Sequence, residues 1–287
     1  MCWNYILATL YWRGQRLTVD DFQYLLKNRD LQTHPETLPD LLANLNIPYR
    51  ANLLSNWFEK GMGELKELKK KAFEVCMIGD PTYPTAFLAL DRPPLILSYF
   101  GQPAWLSHKM VSVVGSRNPS FLTRSFVEEQ LDHFLTHNKN IALVSGGARG
   151  VDQIVHAVCI RKKLATVAFM PSGIFNMYPA NFYLWADKIV AAGGAVVSQF
   201  APELPMYKSG FHIRNQLIAL MGDYLVLAQA GQKSGSMVTA QHAIKFGKEV
   251  FVVPGSPMEP SQRGGLDLLY DGAIPLRDFR DLPGANK

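Results

Sequence analysis

Beyond residue 109 the chain alternates two textures. Short, mostly apolar runs fall at Val111 to Val114, Ile141 to Val144, Ala165 to Met170, Ala195 to Phe200, Tyr224 to Leu227 and Glu249 to Val253. Between them lie longer segments whose apolar residues recur at helical spacing, as over Leu122 to Leu135, Val151 to Lys162 and Met237 to Phe246. A run that is apolar on both faces suits a strand covered from both sides, and helical crossovers between such strands make the sheet mainly parallel. The pattern predicts an α/β fold: a Rossmann-like, doubly wound, mainly parallel sheet.

The first part of the chain reads differently. Trp3, Ile6, Leu7 and Leu10 share a helical face, as do Phe22, Leu25 and Leu26 after the capping run Thr18-Val-Asp-Asp21. Two further apolar patches follow, Leu53 to Phe58 and Glu64 to Ala72, with prolines at 35, 39 and 48 as breaks. Residues 1–72 are therefore expected to form a small all-helical domain, and residues 73–287 the larger sheet domain. The aromatic-rich start fits a small core better than a base-stacking surface, and Lys69-Lys70-Lys71 fits a solvated helix face. From Val75 to Tyr99 the density of proline disfavours helix and suits a linker with an edge strand.

Composition narrows the class. With 287 residues, 48% hydrophobic and 18% charged, the chain is rich enough in apolar residues to fold throughout. Its three cysteines, Cys2, Cys76 and Cys159, are scattered; they form neither a disulfide framework nor a CxxC pair for zinc. The start, Met1-Cys-Trp-Asn-Tyr5, lacks the pattern of a signal peptide, and no apolar stretch is long enough for a membrane span. A cytoplasmic protein is expected. The net charge of +5, of which +4 falls beyond residue 74, permits a polyanionic partner without demanding one.

Ligands of doubly wound sheets bind beyond the carboxyl ends of the strands, so the loops that follow each run matter most. They read Gly115-Ser116-Arg117-Asn118-Pro119, then Ser145-Gly146-Gly147-Ala148-Arg149-Gly150-Val151-Asp152, then Gly231-Gln232-Lys233-Ser234-Gly235-Ser236, then Pro254-Gly255-Ser256-Pro257. Small residues admit a ligand close to the backbone, and helix N-termini offer unpaired N–H groups. A single such loop is accounted for by a tight turn and a simple N-cap. Three on one rim, carrying Arg117, Arg149 and Lys233, point to a phosphate site.

The phosphate ligand is narrowed by what the loops lack. The 145–150 loop approaches a dinucleotide fingerprint, but the next strand ends in Pro171-Ser172-Gly173 without the carboxylate that would hold a ribose. No GxxxxGK[ST] occurs. Neither a nicotinamide or flavin cofactor nor P-loop ATP binding is expected. Lys208-Ser-Gly-Phe211-His-Ile-Arg214-Asn215 sets an aromatic between two cations, which suits single-stranded nucleic acid and equally suits a core phenylalanine beside an ion-paired arginine. Ser145, Asp152 and His156 have the residue types of a triad, but their spacing fits local capping and a side-chain pair better. No catalytic residue or metal site is assigned; His212 and His242 lack further ligands at a recognisable spacing.

The order of these motifs resembles the DNA-processing protein A (DprA/Smf) family. The residues that carry the resemblance are Tyr83-Pro84, Pro93-Pro94, Tyr99, Gly101, Val114-Gly-Ser-Arg117, Ser145-Gly-Gly-Ala-Arg-Gly-Val-Asp152 and Tyr178-Pro179. Phe211-x-x-Arg214-Asn215, Ser234-Gly-Ser-x-x-Thr239-Ala240, Val253-Pro254-Gly255 and Asp271-Gly-Ala273 complete the series. The match runs from about Gly79 to Pro275; the N-terminal part is similar only in length and helical character to the family's sterile-alpha-motif-like domain.

The resemblance implies a homodimeric, non-enzymatic protein that protects incoming single-stranded DNA and loads a RecA-type recombinase onto it during natural transformation. It further implies a DNA pocket built from Ser116, Arg117, the Gly146-Gly147 turn, Lys208 and Phe211. Arg214 and Asn215 would stand beside these, and Ser234-Gly235-Ser236 would form the far wall. Four positions depart from the family pattern: His212 for a proline, Gln216 for an arginine, Gln229 for a glutamate and Leu266 for a polar residue. The alternative is a nucleotide-binding or nucleotide-hydrolysing protein related to cytokinin-activating phosphoribohydrolases. Those depend on a glutamate in the helix where this chain reads Ser236-Met-Val-Thr-Ala-Gln-His-Ala243, and a cationic sugar transition state needs that anion. A sensor of a small phosphorylated nucleotide would use the same anion pocket.

Overall fold

The computed structural model describes Trp12 and residues 51–285; the helical segments expected before residue 51 otherwise lie outside the described residues. Helix α1 (Ala51–Lys70) joins in one piece the two patches that the sequence separates. It continues through Gly61 and Gly63, each of which lowers helix propensity by about 1 kcal/mol relative to alanine. Packing opposes that loss: Leu65 and Leu68 are buried in the same hydrophobic cluster as Cys76, Phe87 and Leu97.

After α1 come β1 (Glu74–Met77), β2 (Ile96–Gly101), β3 (Lys109–Val114), α2 (Phe121–His137), β4 (Ile141–Ser145), α3 (Val151–Lys162) and β5 (Thr166–Phe169). Then follow α4 (Tyr183–Ala191), β6 (Ala195–Ser198), α5 (Lys208–Met221), β7 (Tyr224–Leu227), α6 (Gly235–Lys245), β8 (Val250–Val252), α7 (Arg263–Tyr270) and β9 (Ile274–Pro275). All the strands belong to one sheet, ordered β1-β2-β6-β5-β4-β3-β7-β8-β9. Pairing is parallel from β6 through β9 and antiparallel where β1 meets β2 and β2 meets β6. The proline-rich stretch thus supplies two antiparallel strands, with Pro81, Pro84, Pro93 and Pro94 confined to the connection between them.

Alternation along each central strand divides the core into two layers. Val111 and Val113 of β3, Ile141 and Leu143 of β4 and Val226 of β7 pack with α2 and α3. Met110 and Val114, Ala142 and Val144, and Leu225 and Leu227 face the other way, among Leu217, Leu220 and Met237. Ser112 lies buried in that second layer because its Oγ donates to the Ile218 carbonyl at 2.6 Å.

From β3 the chain winds outward through β4, β5 and β6. It then returns across the sheet to place β7 on the other side of β3. The strand order reverses between β3 and β7, and their carboxyl ends diverge into loops that leave a crevice.

Candidate nucleic-acid interface

A cleft of about 500 Å³ occupies that crevice. Of the residues expected to bind DNA, Gly115, Ser116, Arg117, Phe211, Arg214, Asn215, Ser234, Gly235 and Ser236 line it. The β3 loop, the start of α5 and the start of α6 therefore converge on one cleft.

Local chemistry fixes each wall. Gly115 must lack a side chain because a Cβ there would fall 2.6 Å from Val151 Cγ2. The next carbonyl, Ser116 O, accepts from Val151 N at 3.1 Å, so the β3 loop is fastened to the first turn of α3. Ser234 caps α6, its Oγ accepting from Met237 N at 3.4 Å. Ser236 Oγ donates to the Gly115 carbonyl at 2.7 Å, and Asn215 Nδ2 donates to Gly235 O at 3.2 Å. The rim elements are hydrogen-bonded to one another, and the first turn of α6, where backbone N–H groups lack intrahelical acceptors, opens into the cleft.

Two cations lie close to the Phe211 ring. The exposed Arg117 guanidinium lies 5.4 Å from its ring centroid and that of Arg214 lies 5.8 Å away, while Tyr178 meets it edge-on at 5.7 Å. The ring is half-buried, so it is neither a core residue nor a fully exposed one.

Arg214 is buried; its Nη1 donates to the Phe169 carbonyl at 2.8 Å and its Nε has no partner. Burial lowers its pKa to about 10, opposed by the Asp152 carboxylate, so it stays charged at neutral pH. Burial likewise pushes Asp152 upward, against the pull of Arg214 and of the Ala148 N–H it accepts at 3.2 Å.

Gly146 and Gly147 do not line the cleft; both are buried beneath it. A Cβ on Gly146 would strike Arg214 Nη1 and approach Asp152 Oδ2 to 2.5 Å, and one on Gly147 would press on Met170 and Phe182 at 3.0 Å. The smallness of Gly146 admits the Arg214–Asp152 arrangement, and that of Gly147 the packing of Met170 and Phe182. Arg149, Lys208 and Lys233 also lie outside the lining and are exposed, each on a loop or helix start that forms the rim.

The Asp152–His156 side-chain pair expected from the spacing does not form. His156 is buried, with Nε2 2.7 Å from Gly146 O and Nδ1 2.8 Å from Thr166 Oγ1, and Ser145 Oγ donates to Val113 O at 2.7 Å. These separate bonds leave no triad.

Several lining residues escaped the sequence reading: Ala148, Asp152, Ile218, Gly231, Thr239 and Ser261. Ala148, Asp152, Gly231 and Thr239 belong to the sequence motifs, although their residue types did not single them out. Ser261 carries no local signal; it is brought in by Gln229, whose Oε1 accepts from Ser120 N at 2.9 Å and whose Nε2 donates to Ser261 Oγ at 2.8 Å. An amide with both a donor and an acceptor makes both bonds, which gives Gln229, where the family usually has a glutamate, a structural role.

The model of the DNA recombination-mediator protein A family matches residues 74–284. The chain belongs to this family. Among its relatives, the DNA processing protein DprA of Bacillus subtilis is 29% identical over 240 residues, covering 82% of this chain and 80% of the relative. The X-ray structure of DprA from Streptococcus pneumoniae superimposes with a TM-score of 0.77 at 27% identity, covering 99% of this chain and 98% of that one. DprA from Helicobacter pylori, whose structure was described for its single-stranded DNA binding mode, gives 0.64 at 27% identity over 73% of this chain and 93% of its own. The matched relatives are DNA-processing proteins. Among the described residues, no helix is long and apolar enough to cross a membrane.

Proposed function

We propose that the cleft between β3 and β7 holds single-stranded DNA, and that the protein, as a homodimer, protects the strand and delivers it to a RecA-type recombinase during natural transformation. The carrying observation is the Phe211 ring close to Arg117 and Arg214 inside a cleft walled by a helix N-terminus. An aromatic face stacks on an unpaired base whatever its identity, while the cations and backbone N–H groups take the neighbouring phosphates. Paired bases hide their faces, so the same site disfavours duplex. The single-stranded DNA mode described for the Helicobacter pylori relative supports this reading. Delivery to a recombinase, dimerisation and the cytoplasmic setting rest on family membership.

Mobility shift with single-stranded and duplex DNA of one sequence tests the proposal. Wild type should retard the single strand preferentially; Phe211→Ala should lose ~1–3 kcal/mol of affinity through stacking. Arg117→Ala should weaken binding more than Lys208→Ala, because Arg117 lines the cleft and Lys208 stands outside it. Equal retardation of duplex, or competition by a mononucleotide as strong as by the strand, would favour a nucleotide sensor instead.

A further inference from the structure

A second groove, of about 450 Å³, adjoins the cleft on the side of α1. Its lining includes Lys71, Phe73, Phe175, Tyr178 and Tyr183, with one ammonium group and no carboxylate. Lys71 Nζ lies 4.3 Å from the centre of the Phe175 ring, and Phe175 meets Phe73 edge-on at 5.6 Å. Tyr178 and Tyr183 are 38% and 60% exposed, so the groove presents two aromatic rings to solvent. The two concavities meet at one aromatic pair: Tyr178 lines the groove, and its ring stands at 89° to Phe211, which lines the cleft.

We infer that this groove is a second base-binding subsite, occupied by the part of a single strand that leaves the cleft past Phe211 and Tyr178. The inference rests on the proposed function of the cleft and extends it along the chain. Three observations select a polynucleotide as the occupant. The groove neighbours the cleft across a single ring-to-ring contact. Its exposed rings are phenols, whose faces stack on any base while their hydroxyls stay wet. Its charge is positive, and Lys71 is placed beside a ring rather than in an ion pair, unlike Lys70, which faces Glu67 at 3.7 Å. Lys71 would meet the phosphate that follows the stacked base. The lysine run expected to be a mere solvated face thus contributes one member to a binding surface.

Strand length provides the test. Fluorescence anisotropy is measured with the full chain and labelled oligodeoxythymidylates, one short enough to occupy the cleft alone (about 5 nucleotides) and one able to reach the groove (about 20 nucleotides). Tyr183 and Lys71 are exposed, so Tyr183→Ala and Lys71→Gln leave the core intact. Wild type should bind the long strand more tightly per molecule than the short one. Tyr183→Ala should lower affinity for the long strand about fivefold or more and leave the short one unchanged. Lys71→Gln should reduce the salt slope for the long strand by about 0.7. If wild type binds both strands and neither substitution alters the long one, the subsite is wrong and the cleft reading stands. A change in sedimentation with long-strand affinity intact would make the groove a protein contact and overturn the subsite. If neither strand binds wild type, the cleft reading falls, and the subsite with it.

Discussion

Single residues in this site divide into those that face the cleft and those that hold it in shape. His156 is of the second kind. Burial lowers its pKa to about 4, against an ordinary 6.5, and its ring bridges the Gly146 carbonyl and Thr166. The unfolded chain takes up a proton on this residue near pH 6.5 and the folded one only near pH 4. Stability is therefore full above about pH 6.5, falls as the pH drops through this window by roughly 3 kcal/mol, and is level in this contribution below it. Urea unfolding of wild type and His156→Gln between pH 7 and pH 4 should show the extra slope in wild type alone; parallel profiles would contradict the assignment. Nothing in the sequence separates this histidine from a reactive one, because its partners come from different elements, Gly146 from the loop after β4 and Thr166 from β5. The same holds for Arg214. Its spacing from Phe211 was legible, but its burial against Phe169 O follows from the packing of α5 across β5 and β4.

Elements were more legible than residues, for a physical reason. A strand covered on both faces has no polar side to hide, so 111–114, 141–144 and 224–227 declare themselves, whereas two-residue β9 has too little sequence to carry a period. The helix starts were marked as well, Ser234 before α6 and Gly150 before α3. Gly150 has φ +83°, and a Cβ there would meet the backbone of Ser116 and Arg117. Gly150→Ala should thus destabilise the fold by roughly 2–3 kcal/mol and also displace the loop that bears Arg117. Gly193 is the control: its φ is +84°, but nothing lies near its Cβ position, so Gly193→Ala should show about 1–2 kcal/mol of backbone strain alone. Thermal unfolding of the two variants separates clash from strain; equal losses would remove the steric part. What the pattern missed at this scale was the continuity of α1, where two glycines mimic a break that tertiary packing overrides.

At the scale of the molecule, the switch point between β3 and β7 gathers three loops that are far apart in sequence. The glycine-rich loops after β3 and β7 were legible as candidates for that convergence, while the loop bearing Ser261 was not, since only the folded sheet brings it beside Ser120 through Gln229. Charge follows the same division. Of the five cations in the motifs, Arg117, Arg149, Lys208 and Lys233 are exposed, and Arg214 is buried opposite Asp152. Counterions gather on the exposed four, so the log–log dependence of single-strand affinity on salt should have a slope of about −3, and titration in increasing sodium chloride measures it. A flat response would exclude phosphate contacts.

The bonds from Ser236 to the Gly115 carbonyl and from Asn215 to the Gly235 carbonyl tie three separate walls into one frame before any partner arrives. A mouth already set in this way surrenders little motion of its own when filled. The disorder lost on capture is then mainly that of the incoming strand, and the empty and filled frames should superimpose with side-chain adjustments only.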